Sequence, residues 1–153
     1  MITLSKVSKQ YKNGINALDS LDVTIGKGEF VYLIGPSGSG KSTLLKLIFR
    51  ADIPTDGEIR IDTFLLNRIR LAQIPLLRRH VSMIFQDYKL LPRRTVYENV
   101  AFALSLMHVP KRRIKRQVKH VLDLVELSEK ADFLPNEISG GEQQKVCIAR
   151  AVV

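Results

Sequence analysis

The sequence is poor in cysteine and tryptophan, and it has no long apolar run. Its single cysteine, Cys147, excludes an intrachain disulfide and fits a reducing compartment. No stretch approaches the ~18 apolar residues of a membrane span, and Met1–Lys6 lacks a hydrophobic signal-peptide region. Because 45% of the 153 residues are hydrophobic, we expect one packed domain. Cys147 lies in an apolar stretch, which favours a buried core residue over a reactive thiol.

Acidic residues are scarce in the middle of the chain. Residues 60–120 hold 14 Lys and Arg against three acids, whereas the remainder holds 10 against 12. A segregated basic region is typical of a surface that meets an acidic partner, nucleic acid or an anionic membrane. A solvated helix face is the alternative. No aromatic residue lies among Lys111–Lys119, which argues against a base-stacking platform and against nucleic acid as a partner.

A glycine-rich stretch, Gly35–Thr43, matches the phosphate-binding pattern G-x-x-x-x-G-K-[ST]. An apolar run, 30–34, precedes it and a helix-compatible run, 44–48, follows it. Glycines let backbone N–H groups approach phosphates closely, and a helix amino terminus attracts anions. We expect Lys41 to contact the β- and γ-phosphates and the Ser42 hydroxyl to ligate Mg²⁺. The strand–turn–helix context disfavours the alternative, an ordinary glycine turn.

Strands and helices alternate along the sequence, which predicts an α/β fold with a largely parallel sheet. Strands are predicted at 2–8, 20–25, 29–34, 58–61 and 81–85. Helices are predicted at 41–50, 95–107, 111–126 and from 139 to the end of the chain. The strand at 29–34 is continuously apolar, so we expect both of its faces to be buried. Residues 62–74 are ambiguous.

Two of these helices begin with capping boxes, Thr95-x-x-Glu98 and Ser139-x-x-Glu142. The second includes Gly140 and Gly141. A hydroxyl and free N–H groups at a helix start can bind an anion. The same pattern is also an ordinary helix start after a glycine turn, so on its own it leaves both possibilities open.

The order of the P-loop, Gln86 and the stretch Ile138–Lys145 resembles the ATP-binding-cassette (ABC) family of ATPases. In that family the Ser-Gly-Gly stretch is the signature motif; here Ile138 replaces the usual leucine and Lys145 the usual arginine. The resemblance implies that Gln86 contacts Mg²⁺ and the attacking water, and that Tyr11 stacks on adenine. Without it, Gln86 reads as a surface polar residue and Tyr11 as a core aromatic.

The resemblance assigns a site and a fold. The residues that it places on ATP are Tyr11, Gly35, Pro36, Ser37, Gly38, Ser39, Gly40, Lys41, Ser42, Thr43, Ser139, Gly140, Gly141 and Glu142. It places Mg²⁺ on Ser42 and Gln86, and gives Gln86 a catalytic role. The implied fold is a P-loop NTPase domain of the ABC type, with a mixed-sheet core, a β subdomain and an α-helical subdomain. Its parts are about 1–86 (β subdomain and P-loop core), 87–135 (helical subdomain) and 136–153 (signature motif and helix).

Four stretches narrow the resemblance to the cell-division members of the family: 9–12, 85–91, 94–101, and 139–144 followed by 148–152. These members imply an ATPase on the cytoplasmic face of the cell membrane, with an integral membrane partner resembling FtsX. They also imply a head-to-tail dimer, in which Ser139 and Gly141 contact the ATP of the second copy. ATPases of lipoprotein-release or macrolide-type exporters share many of these residues and remain an alternative.

The family pattern continues past Val153. It has a strand ending in an aspartate that holds Mg²⁺ and a glutamate that polarises the attacking water, followed by a histidine switch. None of these is in the sequence, because His80, His108 and His120 all precede the signature motif. We therefore expect a truncated cassette that binds ATP but hydrolyses it poorly, and in which one apolar edge of the strand at 29–34 is exposed because the missing strand would lie beside it. A non-catalytic fragment and a soluble ATPase acting on nucleic acid or ribosomes are the other hypotheses.

Overall fold

Two long strands begin the chain, β1 (Ile2–Gln10) and β2 (Asn16–Ile25), and they pair antiparallel. The turn between them contains Gly14 with φ of 81°, a left-handed conformation that glycine adopts without strain. The structure is a computed structural model that describes residues 1–153, and the chain forms two compact units, Met1–Val81 and Ser82–Val153.

The first unit contains one antiparallel sheet in the order β2-β1-β3-β4, with β3 at Asp56–Ile61 and β4 at Phe64–Leu65. Its helices are α1 (Lys41–Ile48) and a single turn, α2 (Ile74–Leu77), which follows a 3₁₀ turn at Leu71–Gln73. The sheet and α1 enclose the core of this unit: Leu4, Val7, Leu44, Leu47, Ile59, Ile61, Leu66 and Leu77.

The predicted strands at 29–34 and 81–85 are absent, because neither segment pairs with another strand. The burial predicted for the first segment is also wrong: Phe30 is 81% exposed and Ile34 is 88% exposed. A strand buried on both faces needs hydrogen-bonded neighbours on both edges. Neither segment has a strand beside it here. All strand pairs in the structure are antiparallel, so the prediction of a largely parallel sheet is wrong.

The second unit is helical: α3 (Val96–Leu106), α4 (Lys111–Leu124) and α5 (Gly140–Val152), with 3₁₀ turns at Ser128–Lys130 and Pro135–Glu137. Each α-helix lies within about two residues of its predicted bounds. Its core contains Val96, Val100, Leu104, Val118, Val121, Leu122, Leu127, Ile138, Val146 and Ala149. None of the helices in the structure combines the length and apolar content that crossing a bilayer requires.

Two buried polar side chains, Asn99 on α3 and Cys147 on α5, contact the loop before α3. Asn99 is fully buried; its amide donates to the carbonyls of Leu91, Arg94 and Thr95 and accepts from the Leu91 N–H. Cys147 on α5 is also buried, as predicted, and its thiol lies 3.0 Å from a backbone carbonyl. Burial raises the pKa of the Cys147 thiol, which keeps it protonated and unreactive.

Candidate nucleotide-binding site

The start of α1 is an open helix end. Its N-cap residue, Gly40, has φ of 87° and supplies no side-chain cap. Residues 35–39 before it are exposed, and Gly38 is left-handed with φ of 81°. The first N–H groups of any α-helix have no partner within the helix. At this end no side chain satisfies them, so they are available to an anion.

Gly40 is required by its surroundings as well as by its backbone angles. A Cβ built on Gly40 would lie 2.2 Å from the carbonyl oxygen of Ala17 on β2 and 2.9 Å from the Leu18 side chain. No side chain fits there without moving β2. By contrast, a Cβ on Gly38 would meet nothing within 4 Å. Gly40 therefore brings the P-loop against the sheet, whereas Gly38 serves the turn alone.

Lys41 folds back into its own loop. Its ammonium donates to the carbonyl oxygens of Gly35 at 2.7 Å and Pro36 at 2.6 Å, and to the Ser39 hydroxyl at 3.2 Å. The cation thus sits within the exposed loop that also presents the open helix end. Phosphate oxygens form stronger charge-assisted bonds with an ammonium than neutral carbonyls do. The donor set at this end, one ammonium and a row of N–H groups, fits a triphosphate.

Tyr11 lies against the P-loop helix. Its hydroxyl is 3.1 Å from the Thr43 hydroxyl, and the Lys9 ammonium lies 5.2 Å from the centre of its ring. The Tyr11 side chain is half-buried, whereas the neighbouring Ser42 is exposed. The structure therefore brings Tyr11 and the P-loop together, although their sequence positions are 32 residues apart.

Gln86 is exposed in a turn of the second unit. No cluster of three or more His, Cys, Asp and Glu side chains in the structure is suited to hold a metal ion. Mg²⁺ on Ser42 and Gln86, which are of other residue types, stays a prediction from the resemblance, in which phosphate oxygens complete the coordination.

The start of α5 is a closed helix end, built as the capping box predicts. The Ser139 hydroxyl accepts from the Glu142 N–H at 3.3 Å and donates to the Glu142 carboxylate at 2.9 Å. The same carboxylate accepts from the Ser139 N–H at 2.8 Å. Ser139 and Glu142 therefore satisfy each other's polar groups before any ligand arrives.

Lys130 completes this arrangement by forming an ion pair with Glu142. The hydrogen bond from Lys130, with those from the Ser139 N–H and hydroxyl, lowers the pKa of Glu142 to about 2. Lys130 is the residue that sequence reasoning missed at this end. It lies 12 residues before Glu142, beyond the capping-box spacing, and no local pattern connects the two.

The two signature glycines have room around them. A Cβ on Gly140 would reach only the Tyr88 hydroxyl, at an ordinary contact distance of 3.5 Å, and a Cβ on Gly141 would meet nothing within 4 Å. Glycine is an unfavourable residue within helices. Packing inside this chain therefore does not explain why positions 140 and 141 are glycine.

The sequence profile of the ABC transporter family matches residues 18–153. The chain belongs to this family. It is 53% identical to the cell division ATP-binding protein FtsE of Mycobacterium tuberculosis, covering all of this chain and 67% of that protein. It is 51% identical to FtsE of Bacillus subtilis, with the same coverage. The chain thus spans about two thirds of the length of these relatives.

A solved structure agrees with this membership. A dimeric ATP-binding cassette in a post-hydrolysis state, bound to ADP and Pi, matches with a TM-score of 0.88 and 37% identity. The match covers 99% of this chain and 69% of the cassette. The predicted fold, an ABC-type P-loop domain, is therefore confirmed.

Proposed function

We propose that this chain is the ATP-binding component of a cell-division ABC complex. The observation that carries the proposal is the open end of α1, where Lys41 lies in a glycine loop with no side-chain cap. The cell-division role is supported by identities of 51% and 53% to FtsE proteins over the whole chain. ATP hydrolysis is the activity of the family.

ATP binding would exchange Lys41's internal partners for the β- and γ-phosphates. Residues Gly35–Thr43 would hold the phosphate chain through backbone N–H groups and the Lys41 ammonium. Tyr11, already fixed beside Thr43, would stack on adenine. Mg²⁺, assigned to Ser42 and Gln86 by the resemblance, would neutralise phosphate charge when bound.

The signature end would act on a second copy of the chain. In this proposal Ser139, Gly140, Gly141 and Glu142 face the nucleotide of the partner in a head-to-tail dimer. The dimeric state of the similar cassette supports such pairing. So does the space beside Gly141, since a glycine with no internal need suits a close approach from outside.

The complex would sit on the cytoplasmic face of the cell membrane with an integral membrane partner resembling FtsX. In it, ATP binding would close the dimer and change the conformation of that partner. We propose that these 153 residues on their own bind ATP and hydrolyse it poorly, because they span about two thirds of the length of the relatives.

Binding and turnover measured side by side test the proposal. We expect the chain to bind ATP with little turnover, and a version continued through the acidic strand of the family to hydrolyse ATP. Lys41→Ala should remove binding from both, whereas Lys46→Ala, an exposed change on the same helix, should leave it intact. If the Lys41→Ala variant still binds ATP, the proposal is wrong.

A further inference from the structure

Helix α4 carries a cationic surface that nothing in the chain neutralises. We name it the α4 basic face and define it as Lys111, Arg112, Arg113, Lys115, Arg116 and Lys119. All six side chains are exposed, and none forms an ion pair. With the exception of Lys111, they line one shallow surface depression together with Pro110.

The charges of the α4 basic face destabilise helix α4. Like charges four residues apart repel, as Lys111 and Lys115 do, and again Arg112 and Arg116. The first turn of α4 has no acidic residue and the N-cap, Pro110, makes no side-chain cap, so cations gather where the helix dipole disfavours them. Residues that destabilise the helix in which they lie are expected at functional surfaces.

The acids near α4 leave the basic face uncovered. Asp123, on the next turn of α4, is engaged by the Ser128 hydroxyl. Glu126, just after the helix, pairs with Lys145 on α5 at 2.9 Å. Because both of these carboxylates have partners on other elements, neither neutralises the basic face, which is left open to an anionic surface from outside the chain.

Exposed apolar side chains precede this face in the chain. Phe102 and Leu106 lie in the second half of α3 and Met107 is its C-cap, and they are 41%, 58% and 39% exposed. Only residues 108–110 stand between Met107 and Lys111. A lipid surface can use both groups, since basic side chains meet anionic head groups while neighbouring apolar side chains enter the boundary region.

We propose that the α4 basic face docks on the surface of a bilayer containing anionic phospholipid, with Leu106 and Met107 inserting at its edge. Nucleic acid would match the charge, but it offers no apolar layer for these side chains and the face has no aromatic residue for stacking bases. This interaction goes beyond the proposed ATP-binding role, since it requires neither nucleotide nor the P-loop.

Vesicle co-sedimentation of the 153-residue chain tests the proposal. We expect binding to phosphatidylcholine vesicles that contain phosphatidylglycerol, little binding to phosphatidylcholine alone, and weakening by salt. The triple variant Arg112→Glu, Arg113→Glu, Arg116→Glu should bind the anionic vesicles at least about tenfold more weakly. A matched control, Arg60→Glu, Arg68→Glu, Arg79→Glu, changes the net charge equally at exposed positions of the first unit and should bind as the parent does.

Three outcomes would overturn the proposal: no preference for anionic vesicles, an equal loss in the control variant, or tighter binding to duplex DNA than to the vesicles. Circular dichroism checks that the variants fold. If the triple Glu variant does not fold, the double variant Arg112→Gln, Arg116→Gln replaces it, and Arg60→Gln, Arg79→Gln is its control.

The inserted edge has its own test. The double variant Leu106→Ser, Met107→Ser should reduce the vesicle binding that remains at high salt. Unchanged binding at high salt would refute the insertion of these two side chains. ATP affinity of the Arg variants should equal that of the parent chain, which separates this test from that of the proposed function.

Discussion

The N-cap residue of α1 is a glycine and that of α5 is a serine, and the first N–H groups of the two helices have different partners. At α1, Gly40 provides no cap and the nearest charge is the Lys41 ammonium. At α5, Ser139 and Glu142 cap each other and Lys130 balances the carboxylate. The first end has donors without an internal acceptor, whereas the second is satisfied within the chain.

This difference assigns different tasks to the two motifs. An end with free N–H groups and a cation gains most from binding a phosphate chain directly. An end that caps itself keeps its shape without ligand and can present a fixed hydroxyl and two glycines to another molecule. Nucleotide affinity of the single chain should therefore depend on α1, and pairing of two chains on α5.

The largest expected effect is at Gly40. Gly40→Ala would place a Cβ 2.2 Å from the Ala17 carbonyl at a φ of 87°. We therefore expect the free energy of unfolding to fall by about 3 kcal/mol. We also expect the variant to lose ATP binding. Gly38→Ala is the matched control, because it is left-handed but meets nothing, and should lose only about 1 kcal/mol. Urea unfolding measures both. Equal losses would show that contact with β2 does not matter.

Removing the cap of α5 should have a smaller effect. Ser139→Ala deletes the acceptor of the Glu142 N–H and should lower the free energy of unfolding by about 1 kcal/mol. Ser139→Asp keeps an acceptor and serves as the control, although its charge lies close to Glu142. An unchanged urea midpoint in Ser139→Ala would mean that the capping box does not stabilise this end.

A substitution at Gly141 should increase stability instead of lowering it. Since a Cβ there meets nothing within 4 Å, Gly141→Ala should raise the free energy of unfolding by about 0.5 kcal/mol. The same change should weaken ATP-dependent pairing of two chains extended through the acidic strand, as followed by analytical ultracentrifugation. A more stable chain that still pairs normally would remove the reason for glycine at this position.

The smallest expected effect is a pH dependence at Glu142. Its pKa is lowered from 4.5 to about 2 in the folded chain, so its contribution to stability is present above the unfolded value and is lost as pH falls toward 2. Unfolding free energies of the parent chain and of Glu142→Gln should therefore converge between pH 5 and 2. Parallel curves over that range would mean that Glu142 is not held as a charged partner of Lys130.

Local patterns predicted the parts of this structure that depend on near neighbours. Ser139 and Glu142 lie three residues apart, and the capping box they predict is present; the box at Thr95 and Glu98 is present too. The P-loop pattern at Gly35–Thr43 is local in the same sense, and the positive φ of Gly38 and Gly40 is a conformation that suits glycine.

Features that depend on residues far apart in the chain could not be predicted from the sequence. A strand exists only beside a partner, so the apolar run at 29–34 resembled a buried strand although it pairs with nothing here. The contact of Gly40 with Ala17 and the ion pair of Lys130 with Glu142 join residues that no short spacing connects. The roles of Gln86 and Tyr11 came from the family resemblance, since their residue types alone fit ordinary surface or core positions.

The most direct measurement compares the two helix ends in one titration. ATP affinity is measured by isothermal calorimetry for the parent chain, Lys41→Ala and Ser139→Ala. We expect Lys41→Ala to show no measurable ATP binding, because it removes a charge-assisted bond to phosphate, and Ser139→Ala to bind as the parent does. Equal losses in the two variants, or a loss in Ser139→Ala alone, would contradict the assignment of the nucleotide to the open end of α1.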